Sequence, residues 1–322
     1  MDVAANPLES QGGFETSENI SVLVRDAAEG VSLQFDHSHL ETNKMMEDYY
    51  SSGCHSSFLA ILPKGGCFAG DLGSTNTITL LGDSKAAQWF YALDMFATRH
   101  SWKLQSFTKA GCPPIPVAFF YPRSADGAYR ACDEWRRLAL LRLGEEAPRA
   151  ALLSFSHSYF HRARRALREP EWRAGLLDTL AEILRAGTRP ALLLDTPFPD
   201  FDVPACLSDA AAHGGGVRDC AARRDGSLNA AARAGLASAA AELGVPVIDP
   251  SDWFCVPDAA PAPAAAASPA SGDPAAAEDA AGVCPAVVGG VLVYRDTIHA
   301  SVPYTWMVAG RLAAALAAAL RL

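Results

Sequence analysis

A three-layer α/β/α sandwich around a central, mostly parallel five-stranded sheet is the fold class that the sequence predicts, and three observations predict it. Five short runs read as strands, and the first, Thr77–Leu81, is β-branched or apolar throughout, as a strand covered on both faces should be. Helical patterns lie between successive runs, and that alternation argues for a parallel sheet with helices on its faces. Finally, a chain of 322 residues that is 50% hydrophobic can bury one large core.

Residues 1 to about 45 are polar, acidic and without sustained periodicity, so they read as a tail or linker, with a short strand at Val22–Val24 or Val31–Phe35. The folded domain is expected over 46–322. Glu47–Tyr50 leads into Cys54, and the stretch from Cys54 to Cys67 encloses Phe58–Leu62 as an irregular entry. Gly82 and Asp83 stop the first strand. Ala86, Trp89, Phe90, Leu93 and Phe96 then recur at three- and four-residue steps, which predicts a helix to about His100. Lys103–Phe107 is the second strand. Its following loop, Thr108–Pro114, emerges on the same edge as Ser84, because neighbouring parallel strands present their carboxyl ends together.

Ala128–Leu143 reads as a helix with an Arg-rich face, and Ala150–Phe155 as the third strand, ending at Ser156–Tyr159. The basic run His161–Arg165 is either a solvated face or a contact for an anionic glycan. Trp172–Ala186 is strongly amphipathic, with Leu176, Leu177, Leu180, Ile183 and Leu184 on one side and Gly187 closing it. Ala191–Leu194 is the fourth strand, and Asp195–Pro199 follows on the same sheet edge. Leu228–Leu243 is an Ala-rich helix. In the fifth strand, Val245–Asp249, Pro246 implies a late start or an edge position. Residues 258–281 are almost wholly Ala, Pro, Ser, Gly and acid, a low-complexity loop without the apolar bulk to pack. Tyr304–Leu320 closes the chain as a helix.

The net charge of −9 argues against nucleic acid or an anionic membrane as the main partner. No run approaches the ~18 consecutive apolar residues of a membrane span, and Met1–Ile20 lacks the apolar core of a secretory signal. The 8 cysteines fall into four sequential couples: Cys54 with Cys67, Cys112 with Cys132, Cys206 with Cys220, and Cys255 with Cys284. Each couple brackets a loop-like segment, so local disulfides are expected, although sequence allows many other pairings. Zinc is the rival explanation, but no Cys-x-x-Cys or His-x-x-x-His cluster accompanies these cysteines. Disulfides imply an oxidising, extracytoplasmic location. With no signal evident, the expectation is a domain separated from an upstream membrane-spanning part.

Ser84 lies on the turn between a strand's carboxyl end and a helix, the crevice where open α/β sheets place ligands. A serine there is a nucleophile if a histidine reaches it; otherwise Asp83 or Ser84 caps the helix. Far along the chain, Val291–Tyr294 reads as a strand followed by Arg295–Ser301. Asp296 and His299, three apart, share a face in a helical turn, where a carboxylate can fix the imidazole's tautomer.

Leu80-Leu-Gly-Asp-Ser-Lys-Ala-Ala-Gln-Trp89, Trp102-Lys-Leu104 with Thr108–Pro114, and Asp296-Thr-Ile-His299 together resemble the SGNH-hydrolase-type domain. More narrowly, they are similar to the version found carboxyl-terminal to membrane-embedded acyltransferases that O-acetylate cell-surface polysaccharides. The resemblance spans roughly Cys54 to Leu322. It implies an SGNH/flavodoxin-like sheet and a triad of Ser84, His299 and Asp296 acting on a carbohydrate or acyl-ester substrate. O-acetyl transfer and O-acetyl ester hydrolysis both fit, neither calls for a metal or organic cofactor, and a membrane acyltransferase domain is the implied acyl donor. The resemblance also implies oxyanion donors at Ser84 and at Gly111, although Gly111 equally suits a plain turn. Where the wider superfamily has an asparagine donor this chain has Ser156 and His157, so Ser156, His157 or no side chain fills that role. Lys85 stands where relatives usually carry histidine, a change expected to bear on substrate contacts. The rival to catalysis is a glycan-binding or interaction module that has kept the fold.

Overall fold

The computed structural model describes residues 19–30, 46–258 and 281–321. Seven strands form the main sheet: β1 (His55–Ser56), β2 (Phe68–Gly70), β3 (Thr77–Gly82), β4 (Lys103–Lys109), β5 (Ala150–Ser154), β6 (Arg189–Leu193) and β7 (Val247–Ile248). Their order is β1-β4-β3-β5-β6-β7, all parallel, with β2 antiparallel against β4. The five expected strands are β3 to β7, so the sheet is the predicted one extended at one edge by two short strands. Val247 starts late and β7 lies at the opposite edge, as Pro246 requires.

Alternation along each strand divides the apolar residues between two cores. Ile78, Leu80, Leu152 and Leu193 face one core, which is shared with the helices Phe90–Arg99, Val302–Met307 and Ala309–Leu320. Leu81, Leu153 and Leu192 face the other, shared with the helices Arg130–Glu146, Glu169–Arg185 and Ala230–Glu242. Period-two patterning on buried strands thus produces the three layers.

β3 pairs with β4 on one side, and the chain then returns to add β5 on the other. This reversal is a topological switch point, and it opens a crevice beyond the carboxyl end of β3. Register places Gly82 of β3 between Thr108 of β4 and Ser154 of β5, so the residues just after these three positions share one rim.

Two expectations near the amino terminus change. The stretch read as a polar tail contains a helix, Asn19–Glu29, rather than a strand at Val22–Val24. Its Ile20, Val24, Ala27 and Ala28 recur with helical spacing and are buried in the first core; the adjoining apolar Val22 and Leu23 blur that stripe in the sequence. The alternative strand at Val31–Phe35 lies outside the described residues, as do 259–280 of the expected low-complexity loop.

All four sequential cysteine couples are disulfides. Cys112–Cys132, separated by 20 residues, ties the loop after β4 to the helix Arg130–Glu146. Cross-linking a loop of that length contributes roughly 3 kcal/mol. The Cys112→Ala/Cys132→Ala variant is therefore expected to unfold at a lower urea midpoint, with an m-value no smaller than wild type because its unfolded chain is less constrained, and coincident denaturation curves would show the bridge to be idle. Among the described residues no helix is long and apolar enough to cross a membrane.

Candidate active site

β3 ends at Gly82, and Asp83 begins the turn. Its Oδ1 accepts from the Lys85 N–H at 2.8 Å, capping the short helix Ser84–Ala87, while Oδ2 accepts from the Ser156 N–H at 2.9 Å and from the Tyr159 hydroxyl. Asp83 is thus a buried brace between the ends of β3 and β5. Burial pushes its carboxyl up to about 6, against the pull of these donors.

The brace leaves Ser84 half-buried at the crevice, with its Oγ 2.8 Å from His299 Nε2. His299 Nδ1 lies 2.8 Å from Asp296 Oδ2, and Asp296 Oδ1 accepts from the backbone N–H groups of Ile298 at 2.9 Å and His299 at 2.7 Å. With Nδ1 protonated and donating to Asp296, Nε2 is free to accept the Ser84 proton.

The loop bearing the pair is a tight turn. Arg295 N–H donates to the His299 carbonyl at 3.0 Å, and Tyr294 bridges Ala300. Its two ionisable groups move in useful directions. Burial raises the Asp296 carboxyl, but hydrogen bonds from His299 and the backbone outweigh it and hold the group well below the usual carboxylate range. Burial is also the main influence on His299. It lowers the imidazole below its ordinary 6.5 despite the opposing pull of Asp296, with Arg295 and Lys85 adding to the lowering. The imidazole is therefore neutral near neutral pH.

The other oxyanion candidates follow the two strands that border β3. Gly111 follows β4 with φ +58°, and a side chain there would meet the Phe58 ring at 2.9 Å. Both the left-handed backbone and the lack of room call for glycine. Ser156 follows β5; its N–H is engaged by Asp83, and its hydroxyl lies 3.0 Å from that of Ser158. His157 donates its backbone N–H to Asp195 Oδ2 at 3.1 Å, and its ring lies 4.8 Å from that of Phe198.

Three further groups surround the site without having been singled out in the sequence. Arg295 Nη2 donates to the Tyr50 hydroxyl at 2.7 Å, and the Tyr50 ring lies 4.9 Å from that of His55. His55 Nδ1 is 3.0 Å from Thr108 Oγ1 in β4. No local motif marks these residues, because sheet pairing and the far carboxyl-terminal loop assemble them.

Lys85, whose departure from the usual histidine was expected to bear on substrate contacts, is turned inward instead. It is fully buried, with Nζ 2.6 Å from Thr196 Oγ1, 3.1 Å from Asp195 Oδ1 and bonded to the Ile298 carbonyl. The basic run is the solvated face, one of its two readings. Arg162 pairs with Asp126 at 2.8 Å and Arg165 with Glu171 at 2.6 Å, while Arg164 lies over the Phe120 ring. Asp126 is shared with Arg130 and Glu171 with Arg168, so the run stays exposed and net positive. Among the described residues no group of three or more His, Cys, Asp or Glu is placed to hold a metal ion.

Comparison with known proteins agrees with this architecture. Residues 53–267 match the family model described as the SGNH domain fused to AT3 domains. That span holds Ser84, Gly111 and Ser156, whereas Asp296 and His299 lie beyond it. The periplasmic domain of a lipopolysaccharide acetyltransferase from Salmonella ser. Paratyphi A has a similar fold, with a TM-score of 0.53, 13% identity, and coverage of 94% of this chain and 99% of that one. No curated protein sequence matches the chain.

Proposed function

The chain belongs to the family of SGNH domains fused to AT3 domains, and from that footing we propose that it performs serine-dependent acyl-ester chemistry on a carbohydrate, by O-acetyl transfer or O-acetyl ester hydrolysis. The observation that carries this reading is the unbroken line from Asp296 through His299 to Ser84, with 2.8 Å at each step.

In this mechanism His299 Nε2 takes the Ser84 proton as Oγ attacks the ester carbonyl. The resulting oxyanion is met by the backbone N–H of Ser84 and by Gly111 across the crevice, with Ser156 as the candidate on the β5 side. One such donor is worth roughly 3 kcal/mol in the transition state. Protonated His299 returns its proton to the departing alkoxide, leaving acyl-Ser84, and Asp296 stabilises the imidazolium in between. His299 then deprotonates the acceptor as it attacks the acyl carbon, and gives that proton to Ser84 Oγ as the acyl–serine bond breaks. Water as acceptor gives an esterase, and a sugar hydroxyl gives a transferase.

The family's fusion to AT3 domains favours a membrane acyltransferase as the acyl donor, and the neighbouring fold comes from a lipopolysaccharide acetyltransferase. Four disulfides and the periplasmic setting of that neighbour favour an extracytoplasmic location.

The test is reaction of the intact protein with a fluorophosphonate followed by peptide mapping. Label is expected on Ser84, at a rate that is flat near neutral pH and falls with acid as His299 gains a proton. Because the folded imidazole sits below 6.5, the midpoint of that fall is expected below 6.5. A folded protein left unlabelled, or labelled at another residue, would refute the triad and turn the reading to a glycan-binding module.

A further inference from the structure

The helix that presents the nucleophile also grips the loop that presents the base. Lys85, next to Ser84, donates from Nζ to the carbonyl of Ile298, the residue before His299. Gln88, at the end of the same short helix, accepts the N–H of Ala300, the residue after it, at 2.9 Å. His299 is thus held on both sides from the segment that carries Ser84, across more than two hundred positions of sequence. Lys85 is itself seated by Thr196 Oγ1 at 2.6 Å, by Asp195 Oδ1 at 3.1 Å and by the Phe198 ring, whose centre is 4.5 Å from Nζ. Both charges of the Lys85–Asp195 pair are buried. Such a pair is an expensive way to gain stability, and its best-attested use is to specify an arrangement.

We propose that Lys85, acting with Gln88, is a positioning residue that fixes the His299 imidazole against Ser84. This rests on the proposed acyl chemistry, because positioning has meaning only if His299 serves Ser84. Lys85 meets no reacting atom; it acts through the peptide that carries the base. Its charge has a second consequence. The imidazole is faced by Asp296 and Arg295 from its own loop, by Lys85 from the nucleophile helix and by His55 from β1. Lys85 also faces Asp195 and His157. Among these, the buried ammonium opposes protonation of His299 and so keeps Nε2 available as a base.

The deciding variants are Lys85→Met and, because that change strands the buried Asp195 carboxylate, the charge-balanced Lys85→Met/Asp195→Asn. Two readouts are taken on whichever folds: kcat and KM on an aryl acetyl ester, and the His299 titration by NMR of ring-labelled histidine, assigned with His299→Asn. Loosening the base is expected to lower kcat about 100-fold with KM nearly unchanged, and loss of the cation to move the His299 midpoint upward, less in the charge-balanced variant, which also loses the opposing Asp195 carboxylate, carrying the acid limb of the rate profile with it. Lys85→Arg, which keeps the charge but alters the reach, is expected to retain the wild-type midpoint and part of the rate. Wild-type kcat and titration in the folded variant would overturn the proposal. So would a lowered kcat with the titration unmoved, since that marks a general loosening of the fold. A wild type inert toward esters would sink the acyl chemistry instead, and the NMR titration would still decide whether Lys85 governs His299.

Discussion

Ser84→Ala is expected to lower turnover of an aryl acetyl ester by about 10⁴-fold or more, with the protein still folded. The side chain is small and half-buried, and its one described side-chain partner is His299 Nε2 at 2.8 Å. Truncation therefore removes the nucleophile while disturbing little else, about 1 kcal/mol of stability at most. His299→Ala is expected to be about as damaging, because a serine without its base is a poor nucleophile. The more telling comparison is the double variant. Groups that act as one unit are grossly non-additive, so Ser84→Ala/His299→Ala should be no slower than either single change. Residual turnover reflects binding and the backbone oxyanion donors. A folded Ser84→Ala protein that keeps more than about a tenth of wild-type turnover would place the chemistry elsewhere.

Gly82→Ala carries the largest expected effect on stability. A Cβ at this position would lie 1.8 Å from the Ser154 carbonyl oxygen and 2.8 Å from Ala86 Cβ. The first obstacle is backbone of the adjacent strand, which cannot rotate away as a side chain would. Accommodating one methyl group means separating β3 from β5 beside the Asp83–Ser156 brace. A cost of at least about 3 kcal/mol follows from overpacking at an unyielding site. The measurement is the urea midpoint, with the rate of fluorophosphonate labelling as a second readout, because the same displacement moves Ser84. Near-wild-type stability would mean that the β3–β5 contact yields far more easily than its packing implies. Glycine before Asp-Ser is thus required for close strand approach, while the aspartate supplies the brace.

The legible part of this protein follows from short-range regularities. Thr77–Leu81 announces a buried strand because every side chain in it tolerates burial, and Trp172–Ala186 announces a helix because its leucines recur on one face. Ser84 could be placed at a sheet rim because strand, turn and helix signals adjoin it in the chain. The cysteine couples were readable as an expectation because pairing sequential cysteines, 13 to 29 residues apart, closes the shortest loops. The helix Asn19–Glu29 escaped notice because its buried stripe is built partly from Ala27 and Ala28, which carry little hydropathic weight.

The surroundings of Ser84 and His299 were decided by pairings between segments far apart in the chain. Lys85 read only as a departure from the usual histidine that bears on substrate contacts; Asp195, Thr196 and the Ile298 carbonyl draw it inside. The basic run at Arg162–Arg165 is a solvated face, and Asp126 and Glu171 from other segments fix where two of its arginines point. Asp83 looked like a simple cap, but the Ser156 N–H and Tyr159 hydroxyl make it the tie between two strands. Periodicity and turn chemistry are properties of neighbouring residues, so the chain alone specifies its strands, helices and the rim that holds Ser84. A buried charge is tolerated only where its partner stands, and partners of Lys85 more than a hundred positions away exist for it only once the sheet has brought those segments together.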